Sequence, residues 1–312
     1  MNILVSGSIA YDRIMPFPGR FADHIMPDKI HILNVCFLVN GLIEKFGGTA
    51  GNIAYTLSLL GEKPRILATA GKDFGNYEKW LKKFGLDQES IRIIPDELTA
   101  SAYITTDKSD NQITGFNPAA MNYSSEFDFS QVSAEKTLAI VAPGNLDDMY
   151  YYSRIYREKG VRYIFDPGQN IPAFSGERML EMITGSYILI SNDYELEMIM
   201  KNTGLNRKEL LEHTRTIITT LGEEGCMVFR RREETRLPAA RVSNVVDPTG
   251  AGDGFRAGLL KGLADGRSVS EAAKVGLISA AYAVEHHGTQ EHTFTRDEFW
   301  SRYNENFENF ES

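Results

Sequence analysis

From about residue 45 onward, short apolar runs alternate with segments of amphipathic helical spacing. The runs 66–70, 138–142, 163–166, 187–191 and 216–220 are rich in β-branched and aliphatic residues and predict strands. Between the strands, 52–60 and 77–84 carry a helical pattern, and a glycine follows each, Gly61 and Gly85. Glycine past the last periodic residue is the usual left-handed helix stop. Such alternation predicts a parallel sheet with helices on both faces, which binds ligands where strand ends meet helix N-termini.

Two stretches break the pattern. Residues 12–44 and 98–117 lack helical period but hold the apolar runs 30–35, 37–39 and 102–106. The polar segment Asp107-Lys108-Ser109-Asp110-Asn111 predicts a turn joining 102–106 to 112–116 as a hairpin. Two arrangements fit: ordinary edge strands, or a small β lid over one edge of the larger sheet. The second divides the chain into a large α/β domain (1–11, 45–97 and 118–312) and a lid (12–44 and 98–117).

The 312 residues are 42% hydrophobic and 24% charged, enough chain and apolar content for a sizeable core. The formal net charge of −9 argues against nucleic acid as a bulk partner. The two cysteines, Cys36 and Cys226, are too few for a disulfide framework and point to a reducing cytoplasm. The first seven residues lack a basic segment and predict a strand, and no apolar stretch reaches the roughly 18 residues that span a bilayer.

The densest chemistry lies in Asp247-Pro248-Thr249-Gly250-Ala251-Gly252-Asp253-Gly254-Phe255-Arg256-Ala257-Gly258. After it Phe255, Leu259 and Leu263 recur every four residues, so a loop runs into a buried helix. Backbone N–H groups of Gly250, Ala251 and Gly252 at the helix start, helped by its dipole, make an anion site. A carboxylate at Asp253 would repel a bound phosphate. It suits instead a base that takes a proton from an attacking hydroxyl while the amides stabilise transferred charge. Phosphoryl transfer needs that pairing.

Other readings compete. Gly252-Asp253-Gly254-Phe255-Arg256-Ala257 fits a loose dinucleotide pattern with Glu271 downstream, and the glycines could merely cap and pack a helix. His286, His287 and His292 could suggest a metal, but adjacent histidines point to different helix faces, which favours a solvated helix end. No Walker-type phosphate loop is present.

The segment from Asp247 to Gly258 closely resembles the C-terminal signature of the ribokinase (pfkB) family of carbohydrate and nucleoside kinases. Further landmarks follow the family's order: Gly47-Gly48-Thr49-Ala50-Gly51-Asn52, Asn192-Asp193-Tyr194-Glu195 and Thr220-Leu221-Gly222-Glu223-Glu224-Gly225. The resemblance implies a three-layer α/β/α ribokinase-like fold with a mostly parallel central sheet and a small β lid. It also implies ATP as co-substrate, magnesium near Asn192 and Glu195 through water, and a monovalent cation such as K⁺. Asp253 would be the base, and Gly250, Ala251 and Gly252 the anion hole. Ser8, Asp12, Gly48 and Asn52 would hold the ribose; Asn192, Thr220, Gly222, Gly225 and Arg256 would lie at the nucleotide. For Asn192 and Glu195 a plain helix cap predicts the same spacing, and for Arg256 a surface ion pair remains open.

Residues 12–46, Asp247-Pro248-Thr249 and Gly288-Thr289-Gln290-Glu291 resemble the bacterial adenosine kinase branch, which implies purine salvage. Phe116 and Tyr103 offer aromatic faces for a base, and Gln169 and Asn170 offer amides for its polar edge. Ala102 stands where that branch would place a second aromatic, and Cys36 where a hydroxyl would be the more obvious sugar contact. The expectation is an adenosine kinase, homodimeric through the lids. A ribokinase-like or fructokinase-like sugar kinase is the alternative in the same fold, and a nucleoside-binding sensor the alternative in another class. The sensor gains nothing from an unpaired base at Asp253.

Overall fold

The computed structural model describes residues 1–307, so the end of the 118–312 range lies outside the described residues. The chain opens with β1 (Asn2–Ser6), β2 (Ala10–Pro16) and β3 (Ile43–Gly47), then α1 (Thr49–Leu59), β4 (Arg65–Gly71) and α2 (Gly75–Lys83). Next come β5 (Ile91–Ile94), β6 (Ala100–Thr106), β7 (Gln112–Asn117), β8 (Thr137–Val141), α3 (Leu146–Lys159) and β9 (Arg162–Phe165). They are followed by α4 (Gly176–Ile183), β10 (Ile188–Asn192), α5 (Asp193–Thr203), α6 (Arg207–His213), β11 (Ile217–Thr220), β12 (Cys226–Arg230) and β13 (Glu233–Leu237). Three helices close the described chain: α7 (Ala251–Ala264), α8 (Val269–Val284) and α9 (Arg296–Phe307).

Nine strands form one sheet in the order β13-β12-β11-β10-β9-β8-β1-β4-β5. The pairs from β11 to β5 are parallel, and β12 and β13 add an antiparallel edge. Strands buried on both faces carry near-continuous apolar residues, which is why their sequences announce them. Along β8, Leu138 and Ile140 join a core with α1, α2 and α7–α9, while Ala139 and Val141 face α3–α6. That alternation makes three layers.

The remaining four strands form a separate small sheet, β3-β2-β6-β7. The 102–106/112–116 hairpin is present as antiparallel β6 and β7. Its other two strands are not the apolar runs 30–35 and 37–39: residues 27–32 form a short 3-10 helix and 33–42 lack regular structure. The paired strands are β2 and β3 instead, and they cross the expected limits at 12 and 44. Among the described residues no helix is long and apolar enough to cross a membrane.

Candidate active site

Parallel strands deliver their carboxyl ends to one edge of the large sheet, and a cleft of about 1300 Å³ lies there. The strand order sets the order of residues along it. Ser8 follows β1, Asp166 follows β9, Asn192 ends β10 and Thr220 ends β11; all four line the cleft. Opposite them stand Gly250, Ala251, Gly252 and Asp253 on the first turn of α7. From the small sheet come Asp12 and Phe116.

Gly48 is the N-cap of α1 at φ 89°, where a Cβ would sit 2.6 Å from both the Ser8 carbonyl oxygen and the Ala10 nitrogen. Only glycine lets the β1 and α1 loops meet this closely. The contact is locked by the Thr49 N–H donating to Ser8 Oγ (2.9 Å) and the Ser8 N–H donating to Thr49 Oγ1 (3.1 Å). Gly48, Ser8 and Thr49 all face the cleft.

Asp253 is half-buried, and its Oδ2 accepts from Asn52 Nδ2 at 2.8 Å. Burial pushes its carboxyl up to about 6; nearby Asp166 and Asp12 add to the rise, while Arg256 and the Asn52 bond oppose it. A carboxyl placed there can be ionised near neutrality and still hold a proton well enough to accept one. Asp12 is pushed up to about 6 as well, by burial and then by Asp247, against the pull of Lys45.

Arg256, three residues after Asp253 on α7, is buried rather than a surface ion pair. Its Nη2 donates to Asp166 Oδ1 at 2.9 Å, and its Nε donates to the other oxygen. Asp166 is a cleft residue that sequence reading passed over; the signal was an acid at the carboxyl end of an otherwise apolar strand.

Asn192 and Glu195 form a reciprocal capping box on α5. Glu195 N–H donates to Asn192 Oδ1 (2.7 Å), and Asn192 N–H donates to Glu195 Oε2 (2.9 Å). Both residues line the cleft, but capping occupies the Asn192 oxygen and leaves Glu195 Oε1 as the open acceptor. Burial raises the Glu195 carboxyl above its usual range. Gly222 lines the cleft with Thr220, whereas Gly225 lies behind them in the turn to β12.

Pairing in the small sheet decides which aromatics reach the site. Asp12 is level with Ala102, and Ala102 with Phe116, so these side chains share one face. Tyr103 falls on the other face, beside Arg13, whose Nη1 donates to its hydroxyl at 2.9 Å. Tyr103 therefore does not line the cleft. Nor does Cys36, exposed in the irregular 33–42 segment. Gln169 and Asn170 do; Asn170 Nδ2 is tied to the Gly144 carbonyl (3.1 Å), and the Gln169 amide is exposed.

The competing readings meet particular obstacles. Gly254 is buried inside α7 against the Ser279 carbonyl, and Glu271 caps α8 with Ser268, so no strand–turn–helix dinucleotide loop forms. His292 is buried rather than solvated: its Nε2 lies 3.0 Å from Thr56 Oγ1, and burial lowers its imidazole to about 4. Among the described residues no group of three or more His, Cys, Asp or Glu could hold a metal.

The pfkB family carbohydrate kinase profile matches residues 23–296. The nucleoside kinase of Methanocaldococcus jannaschii is 30% identical over 260 residues, 82% of this chain and 85% of that protein. The structure of Burkholderia thailandensis nucleoside kinase in complex with inosine superposes with a TM-score of 0.87, at 38% identity and with 98% of both chains covered. The same protein in complex with ADP-inosine superposes with a TM-score of 0.85, at 39% identity, over 98% of this chain and 96% of that one. With a carboxylate set against a helix N-terminus at the strand ends and a family match across most of its length, this chain belongs to the pfkB family of carbohydrate kinases and is a phosphotransferase acting on an alcohol group.

Proposed function

We propose that the chain is an ATP-dependent nucleoside kinase that transfers the γ-phosphate of ATP to the 5′-hydroxyl of adenosine. The observation that carries this reading is one continuous cleft lined by Phe116 and Asp12 of the small sheet, by Asp253 on α7, and by Glu195 on α5 and Thr220 at the end of β11. Its volume of about 1300 Å³ exceeds the roughly 300–1,000 Å³ of a single-ligand pocket and suits an acceptor and a nucleotide together.

In this reading Ser8, Asp12, Gly48 and Asn52 bind the sugar, and Phe116 covers the base beneath the small sheet, which serves as a lid. Asp253 takes the 5′-hydroxyl proton as the oxygen attacks, and the α7 amides receive the charge of the transferred group. Magnesium fits at Glu195 Oε1 through water, since that ion keeps several waters and leans on substrate phosphates. When bound, it neutralises charge on those phosphates.

Inosine is a second acceptor reading, supported by the inosine complex of the Burkholderia thailandensis protein. A side-chain amide such as Gln169 can turn to present either NH₂ or C=O, so it can meet a 6-oxo as well as a 6-amino purine. Phe116→Ala tests the base-binding assignment. It should raise KM for adenosine about tenfold, from lost stacking and burial, and leave kcat nearly unchanged. An unchanged KM would remove Phe116 from the site.

The small sheet and the 26–43 segment expose Met26, Ile30, Ile32, Leu38, Leu42 and Ile113. An unpartnered apolar surface and free sheet edges are most simply covered by a second copy. The expected state is a homodimer through the lids, and light scattering at micromolar concentration should give twice the 35.0 kDa chain mass. A monomeric mass would refute it.

A further inference from the structure

We infer that Gln290 is a positioning residue for Asp253, selecting which end of the Asn52 amide faces the base; this rests on the reading of Asp253 as that base. The inference starts at Trp80. An indole N–H can only donate, and Trp80 Nε1 donates to Gln290 Oε1 at 2.8 Å. That contact leaves Gln290 only its NH₂ end for its other neighbours. Gln290 Nε2 donates to Asn52 Oδ1 at 2.9 Å and to the Tyr77 hydroxyl at 2.6 Å. With its oxygen engaged, Asn52 must turn Nδ2 toward Asp253, and it donates to Oδ2 at 2.8 Å. The opposite flip would place a carbonyl oxygen against a carboxylate.

The chain of bonds is buried and anchored at its far end. Gln290 and Asn52 are both buried, and Tyr77 donates to the Gly47 carbonyl at 2.7 Å. Gly51 makes room for it: a Cβ there would lie 2.0 Å from the Tyr77 hydroxyl and 3.1 Å from Gln290 Nε2. The last glycine of the Gly47–Asn52 motif thus serves this relay, whereas Gly48 serves the backbone crossing. A hydrogen bond to the charged form favours it, so the relay keeps Asp253 ionised and aims one of its oxygens. Asp253 is also faced by Arg256 on its own helix, Asp166 after β9, Asp12 on β2 and Tyr77 on α2; of these only Tyr77 is bonded by Gln290, and burial raises its hydroxyl so far that it stays neutral.

Gln290→Met keeps volume and removes both donors. The expected result is an acid limb of kcat/KM moved upward by about one pH unit, the size of one lost charge-assisted bond, with kcat at neutral pH falling more than KM rises. Tyr77→Phe leaves the Trp80–Gln290–Asn52–Asp253 path intact and should lower stability without moving the limb. A carbon-detected NMR titration of the Asp253 carboxyl in the ligand-free chain should show the same shift without relying on turnover. If Gln290→Met fails to fold, Trp80→Phe frees the Gln290 amide to flip and should move the titration in the same direction. An Asp253 titration unmoved in every folded variant overturns the inference, even where stability falls. If instead Asp253→Asn retains turnover, the base assignment itself fails, which is a separate result.

Discussion

Asp253→Asn should lower kcat by at least about a hundredfold, the low end for loss of a general base, while KM for the acceptor changes only a few-fold. The substitution keeps the shape of the group and the contact with Asn52 but removes the site that takes the proton. The ionised carboxylate is the working form, and its carboxyl is pushed to about 6. In the unaltered chain kcat/KM should therefore be flat above that pH and fall as pH drops through it. Asp12 titrates in the same range, so protonating it should steepen the fall through weaker sugar binding. Initial rates from pH 5 to 9 check both points, and a rate that holds level to pH 5 would contradict them.

Arg256→Met should cost about 3–5 kcal/mol of stability, the penalty for leaving a buried charge without its partner. The exposures decide the size: 10% for the Arg256 side chain and 2% for Asp166, so neither ion can recover much hydration where it sits. Combining Arg256→Met with Asp166→Asn removes both charges and should restore much of the loss, because the cost of breaking such a pair lies in the orphaned ion. Urea unfolding of the two single variants and the double variant measures this. Single variants within about 1 kcal/mol of the unaltered chain would show that the pair carries no such burden.

The large sheet was legible because parallel strands buried on both faces leave unbroken apolar runs, such as 138–142 and 187–191. The helix stops at Gly61 and Gly85 were legible from their glycines. The small sheet was harder to see. Strand β2 reads Ala-Tyr-Asp-Arg-Ile-Met-Pro, with charges between its apolar residues, and the exposed run 30–35 was the more hydrophobic decoy. Tyr103 and Phe116 both looked able to offer a face to the base, because a residue's face in a hairpin depends on register, which only pairing reveals.

Side-chain commitments were hidden for a different reason. Asn52 suggested a hydroxyl contact, and its further bonds to Asp253 and Gln290 were hidden because those partners lie 201 and 238 positions away. For Arg256 a phosphate contact and a surface ion pair both stayed open, because its buried partner Asp166 lies 90 positions earlier. Local motifs, such as the Asn192–Glu195 capping box, could be read directly since their partners sit within one helical turn.

The central claim is that the acceptor is a nucleoside, and initial rates with magnesium-ATP and a panel of adenosine, inosine, ribose and fructose test it most directly. Stacking alone separates a nucleoside from a free sugar by roughly tenfold, and burial of the base widens the gap. The account predicts a kcat/KM for adenosine far above that for either sugar, with the phosphate on the 5′-oxygen of the product. Ribose or fructose phosphorylated as efficiently as adenosine would contradict it and make the chain a sugar kinase.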